Sequence, residues 1–113
     1  MEIQIIKEPI NRSTLENIAI DQFIDLVKAV VDVEQEIMAI GGEFHSDEEV
    51  ELISKEGSLR ENTWGINLYI KGDEFIEYDS MINLKPSINN NSRNIEDNTI
   101  KKKISEITNR LIQ

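Results

Sequence analysis

The stretch TWGINLYIKGDEFIEYDSMINL, residues 63–84, constrains the fold more than any other part of the chain. Two runs rich in aromatic and β-branched residues flank Lys71-Gly72-Asp73, and Gly72 can adopt the positive φ that a tight turn needs. Side chains alternate along both runs. Trp64, Ile66, Leu68 and Ile70 share one face, which leaves Asn67 and Tyr69 on the other. Beyond the turn, Ile76, Tyr78, Ser80 and Ile82 alternate with Phe75, Glu77, Asp79 and Met81. The pattern predicts a hairpin with strands of about seven or eight residues. A lone hairpin is marginally stable in water, so further elements must cover its apolar face.

KAVVDVEQEIMAIGG is apolar and β-branched on both sides of Glu34-Gln35-Glu36, which predicts two antiparallel strands, 28–33 and 37–42, joined by a tight turn. EIQII (2–6) reads as another strand, closed by Pro9, which cannot donate to a ladder. Three segments have helical period instead. In NRSTLENIAIDQFIDLV, Leu15, Ile18, Ala19, Phe23 and Leu26 form a stripe, and Ser13 with Glu16 has capping-box spacing. A helix over 13–26 follows, with Phe23 in the core, where truncation to Ala costs about 3–5 kcal/mol. Ser46 and Glu49 repeat the capping-box spacing before a short helix, with Val50 and Ile53 inward and Gly57 as its stop. Over 98–111, Ile100, Ile104, Ile107 and Leu111 lie opposite Lys101, Lys102 and Lys103, with Asp97 or Asn98 as N-cap. The order β-α-β-β-α-β-β-α implies the α+β class. One domain over 1–113 should hold a single antiparallel sheet of four to five strands, with the helices packed on one face.

Composition narrows the function classes. No run approaches the length of a membrane helix. MEIQIIKEP lacks the basic and apolar segments of a signal peptide. No cysteine is present, which removes disulfides, thiolate chemistry and zinc–sulfur sites. The net charge of -10 argues against nucleic acid, whose phosphates need clustered Lys and Arg. Residues 84–113 nevertheless carry a balance of +3 against -13 for the rest, which fits a helix with a basic outer face. A cytoplasmic location without membrane contact is the expectation.

Three groups of side chains are candidate sites. AIGGEFHSDEE (39–49) contains the single histidine, His45, beside Glu43 at a strand-to-helix junction. Asp47, Glu48 and Glu49 there are accounted for by helix-start electrostatics. Gly41-Gly42 suits either a strand end or a ligand approaching the backbone. One His and one Glu, without HExxH or paired histidines, do not define a metal site, and no phosphate-loop or dinucleotide pattern implies a cofactor. Strand alternation places Asp32, Asn67, Glu77 and Asp79 on the face away from the helices, where crowded carboxylates would shift in pKa or attract a cation. That arrangement is equally a solvated outer face. The Asn-rich loop 84–97 carries anion-compatible Lys85, Ser87, Ser92 and Arg93, and its length suits either function or disorder. A serine-hydrolase motif is absent.

MAIGGEFHSDEE, ENTWGINLY, GDEFIEYDSMINLKPS and NNSRNIED resemble, nearly end to end, a family of small prokaryotic proteins classed as a domain of unknown function. The resemblance implies a shared fold and a polar loop with an Arg-rich motif after MINL, matched here by Ser92 and Arg93. The hairpin YIKGDE is shorter than the family's. No activity comes with the resemblance.

The leading expectation is therefore a non-catalytic cytoplasmic binding or protein-interaction module, with a protein partner or a second copy meeting its sheet edge or open face. The alternative is a small hydrolase-like or metal-dependent enzyme using Glu43, His45, Asp32 and Asp79, with Arg93 as an anion clamp. For either site, His45 should lie within about 10 Å of Glu43, Asp32, Asp79 or Arg93, since proton transfer and ligation need direct or one-water reach.

Overall fold

The computed structural model describes residues 2–23 and 25–113. Its strands are β1 (Gln4–Ile6), β2 (Leu26–Asp32), β3 (Ile37–Ile40), β4 (Thr63–Tyr69) and β5 (Ile76–Glu77). Its helices are α1 (Arg12–Gln22), α2 (His45–Glu56) and α3 (Asn98–Leu111). The strands form one sheet in the order β1-β3-β2-β4-β5, antiparallel at every pairing. Class, element order and sheet are those expected from the sequence.

Pleat parity divides the core in two. Val27, Ala29 and Val31 of β2, Met38 and Ile40 of β3, and Trp64, Ile66 and Leu68 of β4 pack with Leu15 and Ala19 of α1 and Ile104, Ile107 and Leu111 of α3. Helices α1 and α3 thus share one face. Helix α2 departs from the expected one-sided packing, because its Leu52 packs with Val30, Ile37, Ala39 and Ile82 on the opposite face. The cause lies in β2 and β3, which are apolar at both parities over Ala29–Val31 and Ile37–Ile40, so each face needs a cover.

Helix starts depart from the capping-box readings. The N-cap of α1 is Asn11, whose Oδ1 accepts from the Thr14 amide at 3.2 Å, so Ser13 lies inside the first turn. That helix ends at Gln22 with Phe23 as its half-buried C-cap, while Leu26 opens β2 (Ile24, within the expected span, lies outside the described residues). Phe23 is therefore not the core residue expected, and its truncation should cost less than the fully buried figure. Helix α2 begins at His45, before Ser46, so Glu49 does not return to cap it. Glu49 instead accepts from Thr63 Oγ1 at 2.6 Å. With that start, Glu48, Glu49 and Leu52 turn inward. Val50 and Ile53, expected inside, are exposed at 61% and 37%. Gly57 ends α2 in the left-handed region and Asp97 caps α3, both as expected.

The hairpin is asymmetric. Gly72 has φ of +98°, as its turn requires, but β5 is two residues long rather than seven or eight. A side chain finishes the β4 edge in its place. Asn83 Oδ1 accepts from the Gly65 amide at 2.8 Å and Asn83 Nδ2 donates to the Gly65 carbonyl at 3.0 Å. One carboxamide thereby does the work of a paired residue, and the chain is free to turn through Met81–Asn83. The edge strands β1 and β5 hold only three and two residues, which leaves little free backbone for pairing with a second copy.

Loop 84–97 is tightly tied. The Asn90 side chain donates to the carbonyls of Asn83, Ser92 and Asn94 at 2.7, 3.1 and 2.8 Å and accepts from the Glu96 amide at 2.8 Å. Its Asn-rich composition supplies internal hydrogen bonds where mobility was the competing expectation.

Candidate functional site

Gly41 ends β3 with φ of +91°, where a Cβ would lie 2.8 Å from the Glu2 carbonyl oxygen. Gly42 leaves room for Glu48, whose Oε2 accepts from the Gly42 amide at 3.0 Å. This pair turns the chain from the sheet into α2. The N-cap, Phe44, gives that helix no side-chain hydrogen bond; its carbonyl accepts from the Asp47 and Glu48 amides, and no cap side chain meets those of His45 and Ser46.

His45, the first residue of α2, is half-buried over β4. Its Nε2 lies 2.8 Å from the Ile66 carbonyl oxygen. That contact requires the proton on Nε2 and leaves Nδ1 as an acceptor in the neutral ring. Burial lowers its pKa below 6.5, with a further push from Lys28, against the raising pull of the Ile66 carbonyl, Asn67 and Asp79. Gly65 is what lets these groups approach the strand. A Cβ there would fall 2.5 Å from Ser80 Oγ and 3.2 Å from His45 Cδ2.

Asn67 lies beside them at 8% exposure. Its Nδ2 donates to Glu77 Oε1 at 2.8 Å and to the Asp79 carbonyl at 3.3 Å. Its Oδ1 is buried without a well-formed hydrogen bond, although it is near enough to favour the charged His45 ring. Tyr69 Oη also donates to Glu77, at 3.1 Å. Arg93 Nε donates to Asp79 Oδ1 at 2.8 Å, and the Arg93 carbonyl is held by the Ser80 amide and by Asn83 Nδ2. Across β2, Lys28 places its Nζ 5.2 and 5.6 Å from the ring centres of Phe23 and Phe44. It makes no ion pair among the described residues.

These side chains line one hollow of about 290 Å³, walled by Lys28, Phe44, His45, Ser46, Asn67, Asp79, Ser80, Met81, Ile82 and Arg93. Of the residues singled out from sequence, it brings together His45 of α2, Asn67 of β4, and Asp79 and Arg93 from two connections. Glu77 reaches it only through Asn67.

The remaining candidates lie elsewhere. Asp32 sits at the far end of β2, opposite Thr63, whereas Lys28 faces Asn67. Its Oδ1 accepts from the amides of Glu34 and Gln35 at 2.9 and 3.1 Å, and its Oδ2 from Ser58 Oγ at 2.6 Å, so it holds the β2–β3 turn against the end of α2. Glu43 is exposed beside the junction and does not line the hollow. Glu48 is fully buried, and burial raises its carboxyl well above 4.5 despite the Gly42 amide and Lys28. Lys85 and Ser87 line a separate hollow of about 270 Å³. There Lys85 donates to the Ile82 carbonyl at 3.1 Å and burial lowers its pKa. Ser92 faces the Asn94 carbonyl within its own loop. Among the described residues, no three His, Asp or Glu side chains converge as metal ligands.

Lys28, Ser80, Phe44 and Met81 were not singled out from sequence. The period-2 register did carry a signal for Lys28, which shares the parity of Asp32 on β2 and so faces the same side of the sheet.

The family model described as "Protein of unknown function (DUF5674)" matches residues 4–111. The chain belongs to that family. Beyond DUF5674, no curated protein and no solved structure matches the chain. No helix among the described residues is long and apolar enough to cross a membrane.

Proposed function

We propose that this member of the DUF5674 family is a non-catalytic binding module that takes a small polar molecule in the hollow at the start of α2. The observation that carries the reading is convergence. His45, Asn67, Asp79 and Arg93 come from separate segments to one concavity, and Asn67 Oδ1 is buried there without a well-formed partner. A buried polar atom left unsatisfied by the protein is a place for a ligand atom. A thermal-shift screen over polar metabolites tests it. At least one compound should raise the midpoint of the wild-type protein and lose that effect in Arg93→Ala. A flat screen, or a shift that Arg93→Ala and His45→Gln leave intact, would remove the hollow from consideration.

A second reading, acid–base chemistry at His45, is favoured by one feature. The lowered pKa keeps the imidazole neutral near pH 7 with Nδ1 as an acceptor, and Ser80 shares the space above Gly65. Hydrolysis of simple esters and phosphoesters that disappears in both His45→Gln and Ser80→Ala would support it. The metal-dependent form has no converging carboxylate–imidazole set to rest on among the described residues.

A further inference from the structure

The chemistry of the hollow narrows what it can hold. Lys28, on β2, is a cation held between two aromatic rings without a carboxylate partner, in a chain whose net charge is -10. Arg93 engages Asp79 through Nε, which both neutralises that carboxylate and leaves the terminal guanidinium nitrogens to other acceptors. Phe44, His45 and Ser46 bring the uncapped first turn of a 12-residue helix to the same wall. The Asp47 and Glu48 amides bond the Phe44 carbonyl, so the His45 and Ser46 amides, with the helix dipole, are what favour negative charge there. These three features call for an anion. A fourth calls for something else. Asn67, 8% exposed and lining the hollow, presents an unsatisfied carbonyl oxygen, which no anion alone can satisfy because it accepts and does not donate.

We propose that the hollow recognises a small organic anion that also bears a hydroxyl group, with the charged group on the open turn of α2 among Lys28 and Arg93 and the hydroxyl donating to Asn67 Oδ1. The inference rests on the hollow being a binding site and specifies its ligand class. A volume of about 290 Å³ lies at the small end of ligand pockets, which suits a compact metabolite carrying a carboxylate or a phosphate monoester.

Amide NMR titration of the full chain tests this with four probes: glycerate, glycerol 3-phosphate, acetate and glycerol. The two hydroxylated anions should shift the amides of His45, Ser46, Asn67 and Arg93 at concentrations about tenfold or more below those needed with glycerol, the size expected of one charge-assisted hydrogen bond, and about threefold or more below those needed with acetate, the size expected of a neutral one. Whichever hydroxylated anion binds more tightly identifies the charged group as carboxylate or phosphate. Lys28→Met, which keeps the apolar stem between the rings, should weaken that probe about tenfold or more and leave glycerol unchanged. Glycerol and glycerate acting alike at these amides would overturn the anion assignment while leaving the hollow as a binding site. Acetate matching glycerate would overturn the role of Asn67. Pocket amides that respond to none of the four would overturn both this inference and the reading on which it rests.

Discussion

Asn83→Ala should be among the most damaging single substitutions in the chain, although the residue touches no candidate ligand position. Asn83 is fully buried, and its carboxamide serves the Gly65 amide at 2.8 Å, the Gly65 carbonyl at 3.0 Å and the Arg93 carbonyl at 2.9 Å. Truncation leaves Arg93 with the Ser80 amide at 3.1 Å, so that carbonyl stays satisfied. Both Gly65 groups lose their edge partner. Each orphaned buried group costs about 1–3 kcal/mol, so the expected loss is about 2–6 kcal/mol, with water entering the vacated space drawing it toward the lower end. A small domain has about 5–15 kcal/mol in total, which makes the effect plain in a urea titration. Amide exchange at Gly65 should accelerate together with the shift in midpoint. Asn83→Asp supplies a control. It keeps an acceptor for the Gly65 amide but sets a carboxylate against two carbonyl oxygens, so it should destabilise at least as much as Ala. A loss below about 0.5 kcal/mol, the scale of a neutral surface change, with Gly65 still protected, would show that this side chain does not replace a strand.

The other expectations can be checked on the same protein. Leu52→Ala should cost about 2–5 kcal/mol while Val50→Ala stays within about 0.5 kcal/mol, and the reverse order in denaturant melts would mean that α2 docks by its other face. Gly65→Ala drives a Cβ into Ser80 at 2.5 Å, so it should cost about 1–3 kcal/mol and shift the Ser80 and His45 resonances. His45 has a folded pKa below 6.5, so the unfolded chain binds the extra proton and stability falls as pH drops through the window beneath 6.5. His45→Gln should remove that part of the slope. Glu48 has the opposite sign: raised well above 4.5, it favours the fold fully below 4.5 and loses that contribution as pH rises through its folded value. Glu48→Gln keeps an acceptor for the Gly42 amide and should therefore stabilise more at about pH 8 than at about pH 4, as measured by melts across pH.

Local periodicity made the sheet legible, because strands apolar at alternate positions admit few other structures. It also placed Asn67 and Asp79 on one side and His45 at a strand end. Three things were out of reach. The capping-box spacing at Ser13 and Ser46 was present, but Asn11 outcompetes Ser13 as a cap and α2 starts ahead of Ser46, so neither box forms. The helix then turns its carboxylates Glu48 and Glu49 inward, against any reading from side-chain polarity, because Gly42 and Thr63 offer them hydrogen bonds. Asp32 shared the parity of the site, but parity says nothing of distance along a strand, and it faces Thr63 while Lys28 faces Asn67. The shortness of β5 was hidden for a similar reason. Its sequence alternates well, and only the tertiary position of Asn83 ends the pairing early.

These features give the two faces of the sheet different physics. The face under α1 and α3 is held by a broad apolar cluster. Helix α2, by contrast, buries Glu48, Glu49 and Leu52, so a single apolar side chain and a few hydrogen bonds hold most of that layer. Little apolar area is lost when such a helix lifts, and it should open locally at a lower free energy than the sheet. The candidate site straddles this boundary, with Phe44, His45 and Ser46 on the weakly held helix and Lys28 and Asn67 on the strands. A ligand bridging the two would bind only the closed form and so raise the free energy of opening α2, while leaving β4 at the global value. Native-state hydrogen exchange reads both quantities residue by residue. Without ligand, amides in the middle of α2 should exchange at a lower free energy than those of Ile66 and Leu68. With saturating glycerate, or whichever probe binds, the gap should narrow from the α2 side alone. Equal exchange free energies for α2 and β4 in the free protein would mean that the helix is as firmly seated as the sheet, and the link between its polar packing and ligand capture would fail.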